Sequence, residues 1–426
     1  MNSCDPPDRN RNPALQALSG QSLARMIFRA ELPEEQVRAL PAQSLYMAVK
    51  QNGLLSSAEI VGIASVEQTR LMLDLDLWQA DTFYEENFWE WLSLPDAEHD
   101  NNLALLQKLL KCLDLKLLGL ILARYVRVQI HEEATDAAPG PGYHTPDRGH
   151  TWLHIDTADA HKHFLLGRFL ALIFETSAQI FYQLISVPGI ETQSSLEELA
   201  FQERAKRLAA EGIPDREFAF SINTPLPEKQ ILQDLVRIAP PPPVEDLEII
   251  EPLLYQAGQL QPFSSLLLES GSPDETRSEL TLIANAAIVH FHVDYFEAAR
   301  VSDLMARVRG AINIGLESLL RKQALPLKEI YRALGLQKLY RLGLRLLYET
   351  RTMSRNISLR MSKELETDHI LAAILQAAGE NFPCIPAFFR DDGSIEEQSG
   401  LTPGGTKPIE TLRELEALIA FLTNKL

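Results

Sequence analysis

Leu105-Leu-Gln-Lys-Leu-Leu-Lys-Cys-Leu113 places leucine at 105, 106, 109, 110 and 113, the three-and-four spacing that lines one face of an α-helix. The same spacing closes the chain, at Leu412, Leu415, Leu418, Ile419 and Leu422. Helix-start signals recur along the chain. Pro33 precedes Glu34 and Glu35. Ser65-Val-Glu-Gln68 and Ser195-Leu-Glu-Glu198 have the capping-box spacing, and Ser272-Pro-Asp-Glu275 adds a proline at the first helical position, where no amide hydrogen is needed. The chain is therefore mainly α, a multi-helix array or bundle.

One interval breaks the pattern. Tyr125-Val-Arg-Val-Gln-Ile130 alternates apolar and polar residues with β-branched content, and Thr151-Trp-Leu-His-Ile-Asp156 repeats this more weakly across a Gly/Pro-rich loop at 139–149. This predicts a small β excursion near residues 125–156, which needs a helix to cover it. The expected organisation is a disordered lead over 1–13, an N-terminal helical array over 14–124, and a middle helical region with the β pair over 125–238. A Pro-rich linker at 239–244, built on Pro240 to Pro243, then leads to a C-terminal helical domain over 245–426 with a loop at 380–408.

Composition narrows the function classes. Of 426 residues, 40 are Lys or Arg and 58 are Asp or Glu, a net charge of −18. Such a balance opposes a whole-surface grip on nucleic acid or an anionic membrane. Cys4, Cys112 and Cys384 are odd in number and far apart, so neither a disulfide framework nor a Cys-rich metal knuckle is available. The most apolar stretches, 113–130, 164–187 and 280–296, are each interrupted by charged or histidine residues and suit core helices better than membrane spans. A cytoplasmic location is expected.

Several blocks resemble a bacterial protein family of unknown function: Leu40-Pro-Ala-Gln-Ser-Leu45, Gln68 through Asp81, Glu197 through Leu208, Gly212-Ile-Pro-Asp215 and Glu279 through Asn285. The resemblance implies a single architecture and carries no reaction with it. In helical texture alone, the N-terminal part is similar to the cytoplasmic domain of MgtE-type magnesium channels.

Three constellations are candidates for function. Nine acids and no Lys or Arg lie between Asp74 and Asp100. Asp74, Asp76 and Asp81 accompany Trp78, Trp89 and Trp91, residues that would serve a docking surface or, alternatively, caps and a packed core. Between Arg321 and Lys363, eleven basic residues face two acids for a net +9. Arg332, Lys338, Arg341 and Arg345 in this run could meet a protein partner or a phosphate-bearing anion; nucleic acid is disfavoured for the whole chain but remains open for 321–363. Third, His150, His154, Asp156, His161 and His163 carry the donor types of a zinc or non-haem metal site, although His161 and His163 diverge on a helix. His290 and Asp294 would pair one turn apart if helix continued through them.

No Gly-x-Gly-x-x-Gly after a strand, Gly-x-Ser-x-Gly or His-Glu-x-x-His is present. Gly404-Gly-Thr-Lys407 has the wrong order for a phosphate loop, and Cys384 has no nearby histidine. The leading expectation is a non-enzymatic scaffold or adaptor for a protein partner, with no recognisable cofactor. The alternatives are a metal-dependent enzyme built on His144 to His163 and an anion-binding regulatory module built on 321–363.

Overall fold

A computed structural model describes residues 25–27, 29, 31–79, 81–96, 103–134, 137–186, 192–236, 273–322, 326–361, 368–395 and 405–425. The expected lead at 1–13 and linker at 239–244 lie outside those residues, as does Ser272 of the helix start expected at 272–275. The chain is mainly helical with small antiparallel sheets. It divides into two compact units, Met1–Leu208 and Ala209–Leu426, so residues 125–208 belong with the first and 209–238 with the second. Among the described residues no helix is long and apolar enough to cross a membrane.

The first unit is a succession of short helices: α1 (Glu34–Arg38), α2 (Ala42–Asn52), α3 (Ala58–Ile63), α4 (Val66–Asp76), α5 (Glu85–Ser93), α6 (Leu103–Cys112), α7 (Leu115–Tyr125), α8 (Ala160–Thr176), α9 (Ala178–Ser186) and α10 (Gln193–Ala210). Helices of two or three turns are marginal alone, and polar side chains join these to one another. Ser65 and Gln68 form the expected capping box of α4. The Gln68 amide also donates to the carbonyls of Val37 (3.3 Å), Arg38 (3.1 Å) and Leu40 (2.7 Å) at the end of α1. Lys108 on α6 donates to Val61 O (2.6 Å), Gly62 O (3.2 Å) and Ala64 O, filling the C-terminus of α3, where a cation meets the negative end of the helix dipole.

The box expected at Ser195 is displaced. Helix α10 starts two residues earlier, at Gln193, and the Thr192 hydroxyl accepts the Ser195 amide at 3.2 Å.

Between α4 and α5, β1 (Trp78–Gln79) pairs with β2 (Thr82–Phe83). The expected β excursion is present as β3 (Val126–Ile130) antiparallel to β5 (Thr151–Ile155), running from Val126 opposite Ile155 to Ile130 opposite Thr151. A third strand, β4 (Tyr143–His144), pairs with the other edge of β5 inside the segment expected to be loop. Its two residues are too few to show alternation. Helix α8 packs against β5.

The second unit contains α11 (Arg216–Ile222), α12 (Glu228–Val236), α13 (Pro273–Phe291), α14 (Ala298–Lys322), α15 (Leu327–Arg360), α16 (His369–Ala378) and α17 (Leu412–Thr423). The expected 380–408 loop contributes an antiparallel pair, β6 (Cys384–Pro386) with β7 (Thr406–Pro408). Helix α13 stops at Phe291, and His292 has φ of 54°. His290 and Asp294 consequently do not share a helix, which corrects the pairing expected from their spacing.

The core centres on α14 and α15, with Val308, Ile312, Leu336, Leu339 and Leu347 buried. These two helices cross at backbone distance. A Cβ on Gly343 would overlap the Ala311 carbonyl oxygen, and one on Gly315 would overlap the Leu339 carbonyl oxygen. Within α15, Gly335 (φ 63°) breaks the helical path. The freed Leu336 amide donates to the Glu279 carboxylate of α13 at 3.0 Å, a helix N-terminus capped from a neighbouring helix.

The glycines separate two outcomes. Gly343→Ala forces backbone against backbone, so overpacking costs should reach about 3 kcal/mol or more, and denaturant unfolding should show the second unit strongly destabilised. Gly62→Ala, on a helical glycine with no neighbour within 4 Å, should instead stabilise by about 0.5–1 kcal/mol. Equal behaviour of the two variants would contradict the close crossing.

Candidate functional site

Two acids and the three tryptophans of the acidic segment are turned inward. Asp74, only 6% exposed, accepts from Arg207 Nε and Nη2, both at 2.7 Å, while Nη1 of the same guanidinium donates to Asp114 at 3.0 Å. Burial works against the Arg207 charge, but hydrogen bonds and charge from Asp74 and Asp114 prevail and raise its pKa above the ordinary value. Burial also raises the Asp74 carboxyl, against the pull of Arg207. Asp76, 5% exposed, accepts from Tyr46 (3.0 Å) and Trp91 (2.8 Å) and pairs with Lys50 (2.7 Å).

The three tryptophans follow, whereas among the described acids Asp81, Glu86, Glu90 and Asp96 are exposed. Trp78 is buried against Phe83 and Phe201, each with ring centroids 5.7 Å away, and the Arg204 guanidinium lies over it. Trp89 is buried between Phe88 and Tyr125 and donates to Glu85 at 3.1 Å. Asp81, in contrast to Asp74 and Asp76, is exposed at the β1–β2 turn. Glu85 collects Trp89, Tyr125 and Arg124 (2.8 Å), and Arg124 reaches on to Glu197 at 3.1 Å.

The histidines do not converge. Among the described residues no group of three or more His, Cys, Asp or Glu side chains is placed to hold a metal ion. His150 is exposed. His154 stacks on Tyr143 at 5.2 Å, with its Nδ1 3.2 Å from Gly142 O. Asp156 pairs with Arg127, His161 Nε2 lies 3.0 Å from Ser93 Oγ, and His163 is exposed on α8. Each of these side chains sits in a separate local environment.

The basic run is divided between internal contacts and solvent. Arg321 pairs with Glu416 and Lys322 with Glu228. Arg341 is half-buried: its Nε donates to Thr224 O at 2.7 Å, and its carbonyl accepts from Leu226 N at 3.4 Å. Beside it, Tyr340 donates to Asn223 at 2.6 Å. The 223–226 segment is thus fastened to α15, and Pro225 and Pro227 restrict its backbone further. Lys338 is half-buried, and Arg332, Arg355 and Arg360 are exposed.

Above this fastened segment lies a groove of about 1230 Å³ lined by Pro225, Leu226, Pro227, Lys229, Leu232 and Arg345, among others. A smaller hollow of about 410 Å³ shares Pro225 and Arg345 and continues along Tyr348, Thr352 and Asn356. The Arg345 side chain is 37% exposed, with its Nε 3.8 Å from Glu349. Of the site residues expected from the sequence, Arg345 is the one that faces this groove. The wall formed by 225–233 carries neither a charge run nor a motif that would have marked it.

The chain belongs to the family of unknown function DUF6178, which matches residues 5–377. No curated protein and no solved structure matches the chain.

The paired carboxylates can be tested in two ways. Arg207→Ala leaves Asp74 and Asp114 without their cation and should cost the first unit about 3–5 kcal/mol, whereas Asp74→Leu combined with Arg207→Met should restore much of that loss. Denaturant titrations of both variants compare them. For Glu85, burial raises the pKa, but hydrogen bonds from Tyr125, Trp89 and Arg124 prevail and hold it below its ordinary 4.5. Its stabilising contribution is therefore present above pH 4.5 and lost as pH falls through the depressed folded value. Thermal unfolding between about pH 6 and 3 should decline less steeply in Glu85→Gln than in the wild type.

Proposed function

We propose that this chain is a cytoplasmic, non-enzymatic scaffold or adaptor that receives a protein partner in the groove beside α12 and α15. The observation that carries this reading is the groove itself: an open concavity with apolar side chains at its base, Lys229 on one wall and Arg345 on the other. Protein interfaces combine an apolar anchor site with a polar, charge-complementary rim. Its base is rigid, because Tyr340 and Arg341 bind the 223–226 backbone and side chains, and a preformed surface loses less entropy when a partner docks.

Of the two charged segments, the basic one supports partner binding better. In 74–91, Asp74 and Asp76 are committed to Arg207, Lys50 and Tyr46, the three tryptophans are buried, and Glu85 and Glu86 pair with Arg124 and Lys162. The exposed cations Arg332, Arg355 and Arg360 add to the positive potential of α15, which would steer an acidic partner. Nucleic acid is a poorer fit, since Glu228 and Glu349 interrupt the lining and, among the described residues, Tyr348 is its one aromatic side chain for stacking.

Affinity capture from the native cell, with the wild type and a Leu232→Asp/Arg345→Glu variant in parallel, tests the proposal. A protein identified by mass spectrometry should be recovered reproducibly by the wild type and at least about tenfold less by the folded variant. Identical recoveries, or no specific protein with either bait, would overturn it.

A further inference from the structure

Taking that groove as the docking surface, we infer that its occupant is an acidic amphipathic α-helix of the partner, about three turns long. The inference rests on the proposed function and specifies the chemistry of the docked segment.

The walls decide the backbone form. On α12, Lys229, Leu232 and Gln233 lie three and four residues apart. On α15, Arg345, Glu349, Thr352 and Asn356 continue the same spacing, so each wall is one face of a helix. Backbone donors and acceptors inside a helix are already used, so neither wall offers the edge that a partner strand needs. Polyproline recognition uses a groove lined by several aromatic rings, and among the described lining residues Tyr348 supplies a single ring. Packing a third helix between two existing ones requires only side-chain ridges and hollows, which are what the walls provide.

Size agrees. The groove, about 1230 Å³ and open to solvent, has room for about three turns of a helix roughly 10 Å across. The adjoining hollow past Tyr348 leaves room for side chains at one end.

Charge sets the composition. Glu228 is matched by Lys322 and Glu349 stands 3.8 Å from Arg345; among the described residues Lys229 on α12 and exposed Arg355 on α15 therefore carry the excess positive charge around the groove. Leu226 and, beside Lys229 on α12, Leu232 supply apolar lining. A fitting helix carries apolar anchors at i, i+3 or i+4 and i+7, flanked on both sides by Asp or Glu.

A library of random twelve-residue peptides displayed on phage and selected on the full-length protein tests this directly. Enriched sequences should show the apolar three-and-four spacing with flanking acids. Synthetic copies should bind at least about tenfold more weakly to Arg345→Glu and to Leu232→Asp. A proline at the centre of the peptide should weaken binding to a similar degree, because it breaks a helix. Thr352→Trp, which fills the groove from an exposed position, provides a further blocking variant should Leu232→Asp fail to fold. Groove-dependent peptides that alternate with period two, or that are proline-rich, would overturn the helix inference while leaving the docking site in place. Selection that yields only peptides indifferent to every groove substitution would overturn both.

Discussion

A carboxylate removed from water must find a cation or several donors, and the first unit is organised around two such carboxylates on α4. Asp74 and Asp76 are both buried, and an unpaired charge at either position would cost several kcal/mol. Asp74 consequently fixes where α10 lies, through Arg207, and Asp76 fixes α2 and α5, through Tyr46, Lys50 and Trp91. The same helix reaches the end of α1 through Gln68 and the end of α6 through the Arg70 bond to Lys111 O at 2.9 Å. Apolar burial draws these short helices together, and the polar side chains of α4 select their mutual arrangement.

The second unit reaches uniqueness by another route. Where α14 meets α15, Gly315 and Gly343 remove the Cβ atoms that would hold the backbones apart, so the crossing gains close dispersion contacts over long helices. A displaced or rotated α15 would bring a side chain into that contact. Gly335 acts differently, because its positive φ ends the first part of α15 and the Glu279 carboxylate receives the next amide. Both arrangements depend on backbone geometry, with charge contributing only at the kink.

Local periodicity made the helices legible. The leucines of 105–113 and 412–422, the Ser65 box and the alternation in 125–130 describe interactions between residues close in sequence, and the structure contains each of them. What could not be read were the partners of the charges. Arg207 stands 133 residues from Asp74, and a run of acids looks the same whether it faces solvent or a guanidinium. The blocks that resemble the family supplied a clue of a different kind. Asp74 and Trp78 in one block meet Arg204 and Arg207 in another, Leu40 meets Gln68, and Asn285 donates to Gly212 O at 2.9 Å. The separated blocks are the two ends of long-range polar contacts. The groove left half a trace: the 345–356 wall lies in the basic run that marks Arg345, whereas the 225–233 wall is unremarkable as sequence.

The glycine crossing also sets what α15 presents outward. Two residues along a helix turn it by about 200°, so seating Gly343 against Ala311 directs Arg345 to the opposite side, toward the groove. Glu349, Thr352 and Asn356 follow on that outward face at intervals of three or four residues. A side chain at position 343 would do more than loosen the core, since any compensating rotation of α15 would carry Arg345 away from Leu232 and Lys229. The placement of Arg345 at the groove and the closeness of the α14–α15 contact are thus two consequences of a single helix setting. The two effects are separable, because Arg345 is partly exposed and can be changed without disturbing the crossing that places it.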